Sequence, residues 1–145
     1  KEGMKNLSSD TFASAYLRVE NSEEETSINY NMFLQIDENT LTYSTGSKTP
    51  ELLMKIFDPY GNELDTIEGL NYVTITDGKG NKLSGFDITT AKGKYYIAKN
   101  RNLKTKTEIS EIWKAEVTYV NLSESQDGNL EKKLDGFIRI EASGE

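Results

Sequence analysis

Alternation of apolar and polar residues with a period of two is the feature that most constrains the fold of this 145-residue chain. The clearest run spans residues 28–36, where one face is apolar and the other carries mostly amide side chains. Its apolar members are Ile28, Tyr30, Met32, Leu34 and Ile36. The same alternation recurs in residues 12–20, 113–119 and 134–142. This pattern is typical of strands with one buried face and argues against a helical bundle.

Turn-forming residues separate further short segments rich in β-forming side chains. Residues 40–44 and 72–76 are predicted strands, and residues 77–82 are a strong hairpin signal. Residues 52–57 allow two interpretations, because Thr49 and Pro50 could also begin a helix. The turn that follows at residues 58–62 favours a strand.

In total the sequence predicts about eight to nine strands and almost no helical periodicity. We therefore expect an all-β fold, an antiparallel β-sandwich with jelly-roll or Ig-like topology. The length fits one domain, and we expect residues 12–145 to form it. The polar residues 1–11 are expected to be a flexible arm or linker.

The absence of histidine and cysteine excludes many kinds of chemistry. Catalytic triads based on His, Cys–His nucleophiles, zinc sites with His or Cys ligands, and iron–sulfur clusters all need one of these residues. An enzyme of this composition would depend on carboxylates, Lys, Tyr, Ser or Thr. We therefore expect no enzymatic activity, no catalytic residues and no cofactor.

The charge balance bears on partners. There are 17 basic and 24 acidic residues, which gives a net charge of −7. Such a surface repels phosphate backbones, so we expect no nucleic-acid binding. A basic stretch at residues 99–106 is expected to be a solvated loop or an edge strand protected by lysines. The longest apolar run, residues 95–98, is far too short for a membrane span.

Aromatic residues and turn carboxylates are the candidate ligand-binding groups. Trp113, with Tyr95 and Tyr96, could form a platform on which a sugar stacks, although a single Trp in a strand is more often a core residue. Asp58 and Asp77 lie in turns, where Asp is favoured because it caps the backbone. Their loops carry oxygen ligands at nearly the spacing of a calcium site but do not match a twelve-residue calcium loop. We predict no metal site.

Several strand and turn segments, taken together, resemble exported β-sandwich proteins of Gram-positive-type bacteria. The segments lie at residues 12–22, 27–32, 51–53, 58–64, 85–89, 113–121, 126–129 and 137–140. More distantly, the chain is similar to the TasA/camelysin group of secreted, fibre-forming proteins. This resemblance implies an extracellular or cell-surface location, with an export segment removed ahead of Lys1. The metallopeptidase activity associated with camelysin is not carried over, since His is absent.

These observations lead to two functional expectations. The first is a non-catalytic structural or adhesive surface domain, whose partners are other surface proteins or further copies of itself. Residues 1–10 could then serve as a donor arm, since a strand added to a sheet edge binds through main-chain hydrogen bonds. The alternative is a carbohydrate- or ligand-binding module with a glycan as its partner.

Overall fold

The computed structural model describes residues 11–20, 27–103, 110–129 and 131–143. Within these residues the regular structure is eight β-strands and one 3₁₀ turn at Asp127–Asn129. The strands are β1 (Thr11–Glu20), β2 (Ile28–Asn39), β3 (Leu52–Phe57), β4 (Tyr72–Thr76), β5 (Lys82–Asp87), β6 (Gly93–Leu103), β7 (Ser110–Tyr119) and β8 (Leu134–Ala142). The predicted all-β fold is confirmed, and residues 52–57 form a strand, not a helix.

The strands form two antiparallel sheets. One sheet has five strands in the order β1-β7-β3-β5-β4, and the other has three in the order β6-β2-β8. The two sheets face each other as a sandwich, because the alternating apolar residues of β2, β3 and β7 meet in one cluster. Residues 1–10, the greater part of the predicted arm, lie outside the described residues.

The core lies between the central strands of the two sheets. Its largest side chains are each at most 2% exposed. They include Met32, Ile36, Met54, Ile56 and Phe86. Full burial of one such side chain stabilises the fold by about 1.5–3 kcal/mol relative to leaving it in water, so the period-two pattern is also the main source of stability.

A polar chain of contacts links the two sheets beside this core. The indole Nε1 of Trp113 donates to the Tyr30 hydroxyl at 3.0 Å, and that hydroxyl donates to Glu111 at 2.6 Å. Arg101 donates to both carboxylate oxygens of Glu111, at 2.8 and 2.9 Å. Burial pushes the pKa of Glu111 upward, but the bonds from Arg101 and Tyr30 outweigh it, so that pKa is lowered. Burial, together with the bond to Glu111, raises the pKa of Tyr30.

The basic stretch is thus partly structural. β6 is an edge strand that extends to Leu103, which agrees with the edge-strand alternative for the described part of this stretch. Arg101, however, is half-buried in an ion pair with Glu111 and is not simply solvated. Residues 104–109 lie outside the described residues.

The short strand predicted at residues 40–44 was wrong: the Thr40 N–H donates to the Lys133 carbonyl, but the segment that follows bonds to side chains and forms no strand. Asn129 accepts from the backbone N–H of Thr42 at 2.9 Å and donates to its carbonyl at 2.7 Å. The Ser44 N–H donates to the buried carboxylate of Glu51. Side chains thus satisfy the backbone groups of Thr42 and the Ser44 N–H, so these groups need no strand partner.

Candidate functional site

The sandwich is open along one flank, where β1 and β8 face each other at the edges of the two sheets. An apolar groove of about 320 Å³ lies between these strands, and we call it the β1–β8 groove. Ala13 and Ala15 of β1 form one wall, and Leu134 and Ile138 of β8 form the other. Core residues of β2, β3 and β7 form the floor. The groove therefore exposes a shallow apolar strip at the margin of the core, while floor residues such as Ile36 and Met54 stay almost fully buried.

Small side chains at inward positions of β1 explain why the groove is open. Residues 13, 15, 17 and 19 all point between the sheets, since β1 pairs in register with β7. Leu17 is half-buried and Val19 is buried, so one end of the strand covers the core. Ala13 and Ala15 are too short to reach across, and both stay exposed although they face inward.

Gly136 brings β8 close to β2 on the other side of the groove. A Cβ at this position would lie 2.6 Å from the Gln35 carbonyl oxygen and 3.2 Å from the Ile36 Cα. Both of these are backbone atoms, which cannot move without disturbing the pairing of β2 with β8. The absence of a side chain at residue 136 therefore both permits this strand pairing and widens the groove.

Both strands beside the groove are edge strands of their sheets among the described residues. β1 pairs with β7 over its whole length, and β8 pairs with β2 over its whole length. An edge strand has one side on which a further strand can pair through main-chain N–H and C=O groups. The combination of an apolar floor and two edge strands suits an added β-strand.

Two of the aromatic residues expected to form a sugar platform, Trp113 and Tyr95, pack against the core. Trp113 is 2% exposed and bonds to Tyr30, so its ring is a core residue with no ligand-facing surface. Tyr95 is half-buried against the core, with its ring 3.1 Å from where a Cβ on Gly69 would lie. Its hydroxyl exchanges hydrogen bonds with the backbone of Lys92.

Tyr96 lies on the other side of β6, on the outer face of the three-stranded sheet. Its ring meets Phe33 edge to face, with ring centroids 5.7 Å apart. The ammonium group of Lys94 lies 4.1 Å from the Phe33 ring centroid and 5.2 Å from that of Tyr96. Cation–π contacts therefore cover much of the aromatic surface here.

The two candidate carboxylates hold separate turns. Asp58 Oδ1 accepts the N–H groups of Tyr60 and Asn62 at 2.9 and 3.0 Å. Asp77 Oδ1 accepts those of Lys79 and Asn81 at 2.9 and 2.8 Å. In the described ranges, no group of three or more Asp or Glu residues is close enough together to hold a metal ion.

The five residues proposed from the sequence therefore do not form one site. Trp113 is interior, Tyr95 is half-buried against the core, Tyr96 is on the outer face of the three-stranded sheet, and Asp58 and Asp77 cap turns. The sequence reasoning missed the groove, although a signal was present: positions 13 and 15 carry alanine, whereas the inward positions 17 and 19 of the same strand carry Leu and Val. A strand that carries alanine where its pattern demands bulk leaves space beside it.

Comparison of the chain with models of known protein families, with characterised proteins and with solved structures finds no match. The part of the chain that the structure describes contains no helix long and apolar enough to span a membrane.

Proposed function

We propose that this chain is a non-catalytic structural or adhesive domain of a cell surface, which assembles by accepting a β-strand from a second copy into the β1–β8 groove. The groove carries this proposal, because its apolar floor lies between two edge strands, one from each sheet. An inserted strand would bury the apolar floor and pair its backbone with the edges. Main-chain pairing supplies affinity, and the groove selects side chains that alternate in size.

The donor in this proposal is the arm at residues 1–10 of a neighbouring copy. This segment directly precedes β1, the strand that forms one wall of the groove. The resemblance to exported surface sandwiches supports an extracellular location. A role in glycan binding gains no support from Trp113, which is buried, or from Tyr95, which is half-buried against the core.

Light scattering after size-exclusion chromatography, over a range of protein concentrations, tests strand addition. We expect the mass of the wild-type particle to grow with concentration and with salt, because each copy carries a charge of −7 that salt screens. Removal of residues 1–10 should leave a folded monomer.

A single substitution distinguishes assembly through the groove from nonspecific hydrophobic association. Ala15→Leu projects into the groove, fills part of it, and should abolish assembly while the fold is retained. Thr76→Leu adds a similar apolar side chain at an exposed position of β4, at the opposite edge of the same sheet, and should leave assembly unchanged. A wild-type monomer at all concentrations, or equal assembly of Ala15→Leu and wild type, would contradict the proposal.

A further inference from the structure

An exposed apolar patch lies on the outer face of the five-stranded sheet, where Tyr16 of β1 and Ile112 of β7 are on neighbouring strands. Tyr60 and Tyr16 are the most exposed large hydrophobic residues in the described part of the chain, at 82% and 70%. Ile112, at 43%, lies on the same face as Tyr16. Tyr16, Ile112, Phe57 and Asp58 line a shallow depression of about 250 Å³ together with Lys114.

Strand register sets three of these side chains in a row. Tyr16 of β1 is opposite Lys114 of β7, and Lys114 is opposite Phe57 of β3. We call these three residues the aromatic row. Adjacent strands lie about 4.8 Å apart, so the two aromatic positions are about 10 Å apart. That distance is close to the span of one disaccharide unit in an extended chain of β-linked pyranoses.

Ion pairing and hydrogen bonding hold the polar groups of the row in place. The Lys114 ammonium lies 5.7 Å from the Tyr16 ring centroid and 5.8 Å from that of Phe57, between the two rings. It also contacts Glu116 at 2.9 Å. Asp58 uses Oδ1 for its turn, and its Oδ2 accepts no hydrogen bond from the described residues. An ammonium donor and a carboxylate acceptor are therefore presented beside aromatic surface.

We infer that the aromatic row and Asp58 form a binding site for a neutral, extended, β-linked glycan. The apolar faces of two sugar rings lie on Tyr16 and Phe57. Sugar hydroxyls accept from Lys114 and donate to Asp58. Stacking on a tyrosine or phenylalanine ring suits a neutral sugar, since the apolar face of the sugar packs on the aromatic ring while the sugar hydroxyls stay in water. The site is distinct from the groove, because Tyr16 points to the outer face of the five-stranded sheet, whereas its β1 neighbours Ala13 and Ala15 point inward to the groove.

Ligand-observed saturation-transfer NMR, combined with amide shifts of the labelled protein, tests the inference. The probes are cellotetraose and tetraacetylchitotetraose, both β-1,4-linked, with α-linked maltotetraose for comparison. We expect both β-linked probes to receive saturation and to shift the amides of residues 16, 57 and 114. Maltotetraose should bind about tenfold more weakly, because its curved chain cannot place two rings on the row.

Three variants locate the effect. Tyr16→Ala should weaken binding about tenfold, since the ring contributes stacking and is too exposed to matter for folding. Asp58→Asn should weaken it about threefold, because a neutral oxygen is a poorer acceptor; the Asn side chain can still cap the turn. Phe137→Ala removes an exposed ring, stacked with Arg139 on the other sheet; it should leave sugar binding unchanged, and only the assembly at the β1–β8 groove, which Phe137 lines, could respond.

Three results would contradict the glycan-binding inference. If neither β-linked probe receives saturation at about 10 mM, a concentration at which even millimolar complexes are populated, the inference is wrong. Equal binding by wild type and Tyr16→Ala would also overturn it. If Tyr16→Ala changes the particle mass in light scattering without any response to sugar, the row is a protein contact and not a glycan site.

Discussion

The buried carboxylate of Glu51 is expected to make a large contribution to the stability of the fold. Glu51 is fully buried at the start of β3, and five hydrogen-bond donors surround it, all of them neutral. Ser44 donates to Oε2 through its N–H and its hydroxyl. Tyr119, Gln126 and Asn129 donate to Oε1 at 2.9, 3.1 and 2.9 Å. One side chain thus joins two loops, one containing Ser44 and the other containing Gln126 and Asn129, to the five-stranded sheet.

Glu51→Gln keeps the size of the side chain but replaces one acceptor by a donor. The new amide can keep its oxygen toward Tyr119, Gln126 and Asn129, and its NH₂ then faces Ser44. The Ser44 hydroxyl can rotate to accept, whereas the Ser44 N–H is left without a partner. A buried unsatisfied donor costs about 1–3 kcal/mol. The neutral side chain also avoids the burial of a charge, so we expect a net loss near the middle of that range, about 2 kcal/mol.

Urea and thermal unfolding at low protein concentration measure this loss. About 2 kcal/mol corresponds to a decrease in Tm of about 4–8 °C for a chain of this size. Glu68→Gln is the matched control, because its side chain is 90% exposed and its ion pair with Lys99 is long, at 3.8 Å. We expect the control to change stability by less than about 0.5 kcal/mol. Equal stabilities of Glu51→Gln and Glu68→Gln would refute the view that Glu51 organises these loops.

Three further predictions follow from single contacts. Because the pKa of Glu111 is lowered on folding, the stability it provides is present above its ordinary value of 4.5 and is lost as the pH falls through the lowered pKa; urea midpoints at pH 6, 4.5 and 3 should fall less steeply for Glu111→Gln, and parallel slopes would contradict this. Gly136→Ala should destabilise the fold by about 2 kcal/mol or more in urea unfolding, because its Cβ would meet the backbone of β2 at 2.6 Å; wild-type stability would show that β8 can move away freely. Trp113 fluorescence should be blue-shifted and protected from iodide quenching in the native state, since the ring is 2% exposed; an emission maximum like that of the unfolded chain would contradict its burial.

Much of the fold could be predicted because strand formation depends mainly on residues that are close together in the sequence. The alternation in residues 28–36 specifies a face as soon as the chain is extended, and the turn at residues 58–62 needs only Asp58, Pro59 and Gly61. The prediction failed at residues 40–44, where an extended, β-rich segment has its backbone bonded by Asn129 and Glu51. Asn129 lies far away in the sequence and Glu51 lies beyond a turn, so no local sequence pattern predicts either partner.

The candidate surfaces were harder to predict for the same reason. Trp113 and Tyr95 looked suitable for binding as residue types, but the pairing of strands buried the Trp113 ring and packed the Tyr95 ring against the core. Tyr16 and Phe57 are 41 positions apart in the sequence and share a row only because β7 lies between their strands.

The amino-acid sequence by itself determined that this chain forms strands, where most of them lie, and which chemistry it lacks, because a period of two and the absence of His and Cys are properties of single segments and of composition. Only the tertiary structure decided which edges stay unpaired, where the core is open to solvent, and which aromatic rings reach the surface. Those properties depend on which distant strands become neighbours, and that choice is made by the burial of the whole apolar surface at once.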